Sequence, residues 1–208
     1  MREPAKTIPT GVADFDSIIK GGFPAGSVIL LVGDLGAGQT EFALTSAAKL
    51  AMVKERPDSA PFILGAGKDS RLPDKICYIT FSRSREEVLA ELEAAFNQDF
   101  YGAFERTVQF RDFSTAYFRK TLVPRSWTGE STSIFSSDGN NENVLEGLVN
   151  YLDEMAPNSM IIIDSLTDLV VSANIEIADL VAVMRGMQRV AKRWGGIIYL
   201  VLTNNVLD

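Results

Sequence analysis

Four short apolar runs divide the chain, and glycine or polar residues bound each of them. They cover residues 26–33, 76–81, 160–163 and 196–202 and are rich in β-branched side chains. Uninterrupted apolar runs of this length are typical of strands that are buried on both faces of a parallel sheet. The pattern therefore predicts four buried strands.

Segments between these runs have apolar residues at the spacing of a helix. Apolar residues recur at helical spacing after Thr40 and after Ser84, and again over residues 143–155 and 178–194. Ser84 followed by Glu87 is a capping-box pattern, which marks the start of a helix. Strands alternating with helices of this length predict an α/β fold of three layers around a mostly parallel central sheet. Such sheets bind ligands at the carboxyl ends of their strands.

Two polar segments interrupt the alternation, at residues 56–75 and 122–141. We expect both to be long loops or insertions, and the run 136–141 makes the second a candidate for disorder. A length of 208 residues suits one domain with a core of its own. Residues 1–208 are accordingly expected to form a single domain.

Composition limits the chemistry. Histidine is absent and Cys77 is the single cysteine, so an internal disulfide and a cysteine-cluster metal site are excluded. Cys77 lies inside an apolar run, which predicts a buried small side chain. The net charge of −7 disfavours nonspecific binding to nucleic-acid phosphates. Any reaction must use carboxylates, hydroxyls, lysine, arginine or a bound metal ion.

No apolar run reaches the roughly 18 residues that a membrane helix needs. The N-terminus also lacks the basic and then apolar pattern of a secretion signal. We therefore expect a cytoplasmic protein without a membrane partner.

A glycine-rich segment joins the first apolar run to the helix that follows it. Residues 33–40 match the Walker A pattern G-x-x-x-x-G-K-[ST] at every fixed position except the lysine, which is Gln39. Backbone amides of such a loop point inward and the helix N-terminus adds positive potential, which predicts a phosphate site. The alternative is an ordinary glycine-rich turn. The predicted nucleotide-binding residues are Gly33, Asp34, Leu35, Gly36, Ala37, Gly38, Gln39, Thr40 and Glu41.

The third apolar run ends in Asp164, as in a Walker B strand, whose aspartate holds the water shell of Mg²⁺. Thr40 occupies the position of the loop hydroxyl that contacts the same ion. Thr40 and Asp164 are therefore the predicted metal ligands. The alternative is that Asp164 only caps the helix after the strand.

The segment 10–27 is the most specific feature of the sequence. It strongly resembles the lead-in of KaiC-like ATPases of the RecA superfamily, T-G-[IV]-x-x-[LF]-D-x-[LI]-[LI]-x-G-G-[LF]-P-x-G-S, and the resemblance extends over most of the chain. It implies a RecA-like P-loop NTPase fold, ATP or ADP with Mg²⁺ as cofactors, and self-association into a homo-oligomer. KaiC-like domains usually add further strands where this chain stops, so the resemblance also implies a C-terminally shortened sheet.

The sequence departs from that family where catalysis is expected. KaiC-like enzymes close the second strand with Phe-Glu-Glu, whose carboxylates activate the attacking water, whereas this chain has Phe81, Ser82 and Arg83. Glu86 and Glu87 follow, but helix capping accounts for them. No catalytic residue is predicted, and Arg83 is a candidate to offset the lost lysine.

The favoured interpretation is a degenerate nucleotide-binding protein that binds ATP or ADP weakly, hydrolyses little or none, and serves a regulatory or signalling role. Two alternatives are a nucleotide-free scaffold that binds a protein partner or itself, and a slow ATPase completed by a neighbouring subunit. A weaker one is DNA binding through basic and aromatic residues, although the acidic net charge makes a nucleic-acid partner unexpected. These residues are Arg106, Arg111, Arg119, Lys120, Arg125, Phe110, Phe113, Tyr117 and Phe118.

Overall fold

The computed structural model describes residues 6–118, 122–124, 144–172 and 177–204. Its strands are β1 (Thr7–Ile8), β2 (Phe23–Pro24), β3 (Ser27–Gly33), β4 (Ile76–Thr80), β5 (Val108–Asp112), β6 (Met160–Asp164) and β7 (Ile197–Thr203). Its helices are α1 (Ala13–Ile18), α2 (Gln39–Glu55), α3 (Ala60–Ile63), α4 (Arg85–Ala95), α5 (Gln98–Thr107), α6 (Ser114–Phe118), α7 (Val144–Met155), α8 (Leu166–Ser172) and α9 (Ile177–Trp194), with 3-10 turns at Pro57–Ser59 and Gly65–Gly67.

The central sheet has five parallel strands in the order β3-β7-β6-β4-β5, while β1 and β2 form a small antiparallel pair. Its register aligns Gly33 with Thr203 and Thr80 with Asp164. The carboxyl ends of β3, β7, β6 and β4 therefore meet along one edge of the sheet.

Alternating side chains of the inner strands enter two separate clusters. On one face, Ile76 and Tyr78 pack with residues of α2, α4 and α5. On the other, Cys77 and Ile79 pack with residues of α7, α8 and α9. The predicted three-layer α/β fold is confirmed, and Cys77 is buried as expected.

Strand β3 differs from its prediction. It lies at an edge of the sheet, and its side chains Leu30 and Val32 are 45% and 47% exposed. The expectation that this strand is buried on both faces is therefore wrong. An apolar run shows that a strand prefers burial, but how completely its faces are covered depends on its place in the sheet and on the helices that pack over it.

Several elements were not predicted. Strand β5 and helix α5 lie in a stretch that mixes polar and aromatic residues, so neither periodicity stands out. The segment 56–75 is only partly a loop, since it contains α3 and both 3-10 turns. Of the segment 122–141, only residues 122–124 are among those described. None of the described helices has the length and apolar character that crossing a membrane requires.

Candidate functional site

The lead-in segment is held together by one buried carboxylate. Asp16, on α1, accepts hydrogen bonds from the backbone amides of Thr10 at 2.9 Å and Gly11 at 3.1 Å. Charge-assisted bonds of this kind fix a turn more strongly than neutral ones. The Thr-Gly and Asp positions of the motif therefore form one structural unit ahead of β3.

The loop between β3 and α2 has the backbone that its sequence predicts. Gly36 and Gly38 have φ angles of 80° and 96°, and a Cβ atom on either would meet no atom within 4 Å beyond its chain neighbours. Gly38 is the N-cap residue of α2, and no side chain caps the helix there. The first hydrogen bond of the helix runs from the Phe42 amide to the Gly38 carbonyl. The first amides of α2 thus have no helical acceptor and face an open space, as an anion site requires.

Gln39 turns back beneath this loop. Its amide nitrogen lies 3.5 Å from the carbonyl oxygen of Gly33, 3.4 Å from that of Asp34 and 3.3 Å from Oγ1 of Thr203. Its Oε1 atom is buried and accepts no hydrogen bond from the described residues. The side chain partly fills the hollow beneath the loop without supplying the charge of a lysine.

Asp164 lies at the end of β6, as the sequence predicts, but it does not cap the following helix. Ser165 takes that position, because its Oγ accepts from the Asp168 amide at 3.1 Å. The Asp164 carboxylate is directed toward β4, where Oδ2 accepts hydrogen bonds from the Tyr78 hydroxyl and from Nη2 of Arg83. Its side chain is only 8% exposed.

Arg83 holds this cluster together. Its Nη1 lies 2.6 Å from Oε2 of Glu91 on α4, and its Nη2 lies 3.0 Å from the Tyr78 hydroxyl. Burial opposes the charge of Arg83, but Tyr78, Asp164 and Glu91 together raise the pKa of its guanidinium above the ordinary value. Burial, reinforced by the charge of Asp164, also raises the pKa of the Tyr78 hydroxyl. Arg83 is therefore a permanent cation and Tyr78 a neutral donor.

A cavity of about 350 Å³ connects the loop with this cluster. Its lining is formed by Leu35, Gly36, Gln39, Thr40, Glu41, Ser82, Arg83, Glu91, Asp164, Ser165, Thr167, Asp168 and Thr203. The structure thus brings most of the predicted loop together with Asp164 and Arg83, while Gly33, Asp34, Ala37 and Gly38 belong to the loop without lining the cavity. Its volume is near the lower end of the range of about 300–1,000 Å³ for small-molecule sites.

Sequence reasoning missed several residues of this site. Thr203 is the last residue of β7 and Asp168 lies in α8 shortly after β6 ends, so the rule that ligands bind at strand carboxyl ends was a usable signal for both. The sequence contains no signal for Tyr78, because this residue lies inside an apolar run. Glu87 behaves as expected, with Oε2 accepting from the Ser84 amide at 2.7 Å in a complete capping box.

Several residues of the basic and aromatic stretch have partners within the protein. Phe110 packs against Tyr78 and Phe104. Arg106 is paired with Glu55, and Arg111 lies over the Phe113 ring at 4.8 Å. Arg119, Lys120 and Arg125 lie outside the described residues. The rings of Phe110 and Phe113 are thus engaged within the protein.

Residues 8–57 match a family model described as "ATPase: KaiC". The match covers the lead-in, β3, the loop and α2. The fold is similar to the crystal structure of a KaiC-like protein from the hyperthermophilic archaeon Pyrococcus horikoshii OT3, with a TM-score of 0.58 and 20% sequence identity over 96% of this chain and 73% of that one. The chain is KaiC-like in its N-terminal segment and in its fold. No curated protein sequence matches it.

An ATPase of this fold ordinarily binds Mg²⁺ together with its nucleotide, through a loop hydroxyl and a strand-end aspartate. In this chain both residues, Thr40 and Asp164, line the cavity. However, Oδ2 of Asp164 already accepts from Tyr78 and Arg83. Among the described residues no group of three or more His, Cys, Asp or Glu side chains is arranged to hold a metal ion. As arranged, the Oδ2 atom of Asp164 is not open to a magnesium ion.

Proposed function

We propose that this chain is a nucleotide-binding protein of RecA-like fold that holds the phosphates of ATP or ADP at residues 33–41 and hydrolyses them little or not at all. One observation carries the proposal: Gly36 and the first residues of α2, whose N-terminus has no side-chain cap, line the same cavity as Asp164 and Arg83. Backbone amides in this arrangement bind anions without the help of a side chain.

Weak binding follows from the side chains around those amides. A lysine at position 39 would add a charge-assisted hydrogen bond of about 1.5–3 kcal/mol, which Gln39 does not supply. The cavity also contains the carboxylates of Glu41, Glu91 and Asp168, which repel a polyphosphate. We expect dissociation constants for ADP and ATP near the millimolar range, equivalent to roughly 4 kcal/mol of binding free energy.

Negligible hydrolysis follows from the groups that replace the expected catalytic ones. Ser82 and Arg83 stand where KaiC-like enzymes carry two glutamates, and a guanidinium cannot accept a proton from water. The chain has no histidine to replace them. Because a positioned base contributes about two to four orders of magnitude, turnover falls by at least that factor.

The test is calorimetric titration of the purified chain with ADP and ATP. Gln39→Lys is expected to tighten binding about ten- to a hundredfold, because it restores the charge beneath the phosphates. Gln188→Lys is the matched control, since Gln188 is exposed on α9 and does not line the cavity. It adds the same charge elsewhere and is expected to leave affinity unchanged.

The outcome also decides between ligand binding and a pure scaffold. The observation that favours a scaffold is the Gln39 side chain lying in the hollow of the loop. If neither the natural chain nor Gln39→Lys binds nucleotide at millimolar concentration, the nucleotide proposal is wrong and the scaffold function replaces it.

The same proposal has four further parts. They are a regulatory role, a single domain over residues 1–208, a cytoplasmic location and assembly into a homo-oligomer. KaiC-like sequence and fold support them by analogy. Nucleotide-dependent change of the assembly is measurable by analytical ultracentrifugation with and without ADP. Phosphate release that grows with protein concentration and disappears in Asp164→Ala would instead favour a slow ATPase completed between subunits.

A further inference from the structure

The cation that Asp164 binds in this structure is part of the chain. We propose that the Arg83 guanidinium takes the place of the magnesium ion at Asp164, so that the cavity binds its phosphate ligand without a divalent cation. The inference rests on the proposed function and specifies the electrostatics of that same site.

Three fixed elements hold Arg83 in this position. Tyr78 comes from the middle of β4, Asp164 from the end of β6 and Glu91 from α4, and each contacts the guanidinium. Tyr78 is fully buried and the Asp164 side chain is 8% exposed. A hydrated metal ion could reach Oδ2 of Asp164 only after both the arginine and the tyrosine hydroxyl had moved away.

A group that replaces magnesium must bind Asp164 and must also place positive charge opposite the phosphates. Arg83 meets both requirements. It lines the same cavity as Gly36 and Thr40 of the loop. Its side chain is 30% exposed, so the partners of Arg83 do not enclose it completely. Guanidinium groups bind phosphate oxygens with directed hydrogen bonds and stay charged at every working pH.

The arrangement assigns a different task to each of the predicted metal residues. Asp164 becomes the residue that positions Arg83. Thr40, at the start of α2, can donate its hydroxyl to a phosphate oxygen directly, since no ion needs that hydroxyl as a ligand. Glu91 completes the pairing of Arg83 from the outer side.

The first experiment measures ADP affinity by calorimetry in EDTA and in millimolar MgCl₂. We expect the two dissociation constants to agree within about threefold, well under the tenfold that corresponds to one strong interaction. A loss of tenfold or more in EDTA would overturn the inference. This measurement needs no variant, and Gln39→Lys can be used in the same way if the natural affinity is too weak to measure.

Arginine variants identify the group responsible. Arg83→Gln is expected to lose at least about tenfold in EDTA, whereas Arg83→Lys is expected to lose less, because it keeps the charge but not the fork of donors. Arg85→Gln is the matched control, since Arg85 lies over the Phe110 ring at 5.3 Å and is not part of the cavity lining. Equal affinities of Arg83→Gln and Arg85→Gln in EDTA would contradict the proposal.

A second experiment does not depend on nucleotide. Manganese binding is followed by electron paramagnetic resonance on the natural chain, Asp164→Asn, Arg83→Gln and the double variant, each first shown to be folded by circular dichroism. We expect manganese to bind only Arg83→Gln, through the freed carboxylate, and Asp164→Asn to remove that binding. Manganese bound by the natural chain and lost in Asp164→Asn would overturn the inference, as would a folded Arg83→Gln that binds none.

The two experiments separate the two proposals. Absence of ADP binding in every variant would refute the nucleotide function, while the manganese series would still decide what Asp164 holds.

Discussion

Gly22 shows how a single residue can determine the lead-in. Its φ angle is 135°, and a Cβ atom there would lie 2.1 Å from the carbonyl oxygen of Ile8. No side-chain rotation relieves that contact, because both partners are backbone or attached directly to it. The second glycine of the Gly-Gly pair is therefore required by the fold, independently of any ligand.

Gly22→Ala is accordingly expected to lower the free energy of unfolding by about 2–3 kcal/mol, the combined effect of strain and a steric clash. Urea unfolding followed by circular dichroism measures it. Gly186→Ala is the opposite control, because a Cβ on this α9 glycine would meet no atom within 4 Å. It is expected to raise stability by about 0.5–1 kcal/mol. Equal effects of the two changes would contradict the steric explanation.

At the scale of elements, the N-terminus of α4 contributes to the stability of the fold and to the position of Arg83 in the site. The helix begins one residue after the Ser84 cap, and Arg83 directly precedes that cap. The Ser84 Oγ accepts from the Glu87 amide at 3.2 Å while the Glu87 carboxylate accepts from the Ser84 amide. The capping box thus fixes the short connection that carries Arg83 toward Asp164.

Ser84→Ala is expected to lower the free energy of unfolding by about 1 kcal/mol, as for other lost N-caps. Thermal or urea unfolding checks this value. Ser17→Ala on α1 serves as control, because Ser17 is exposed and, within the described part of the chain, its hydroxyl donates only to the Ala13 carbonyl of its own helix. A change of less than about 0.5 kcal/mol is expected there. A Ser84→Ala protein as stable as the natural chain would show that the box contributes nothing.

At the scale of the whole molecule, an ion pair joins two helices of one sheet face. Arg106 of α5 donates to Glu55 at the end of α2, with distances of 2.9 and 2.8 Å. Hydrogen bonding from Arg106 is the main cause that lowers the pKa of Glu55. A carboxyl group with a lowered pKa stabilises the fold above its unfolded value, and the contribution is lost as pH falls through the folded pKa.

Glu55→Gln is therefore expected to be slightly less stable than the natural chain at pH 7, with only a small difference because the pair faces solvent. The difference should shrink as pH falls below 4.5, the ordinary value, and disappear once Glu55 is protonated in both states. Urea unfolding over a pH series measures it. Glu154→Gln, which removes an exposed carboxylate without an ion pair in the described residues, should show no such trend. A constant difference at every pH would contradict the ion-pair explanation.

The fold was predictable where apolar periodicity is strong. β4, β6 and β7 are inner strands with uninterrupted apolar runs, and α7 and α9 begin within a residue of their predicted starts. β5 and α5 could not be predicted, because an edge strand and a helix half exposed to solvent mix polar with apolar residues. The exposure of Leu30 and Val32 was unpredictable for a related reason, since it depends on how far the helices on the sheet extend over the edge strand β3.

The sequence by itself determined the α/β class, the lead-in turn, the glycine loop and the place of Asp164 at a strand end. These depend on local properties: apolar periodicity, the left-handed glycines and the order of residues along a single connection. Only the tertiary structure decided what Asp164 contacts, because Arg83 and Asp164 are 81 positions apart and meet where two parallel strands end side by side. Pairing across a sheet depends on strand order and register, and neither is encoded in any short segment.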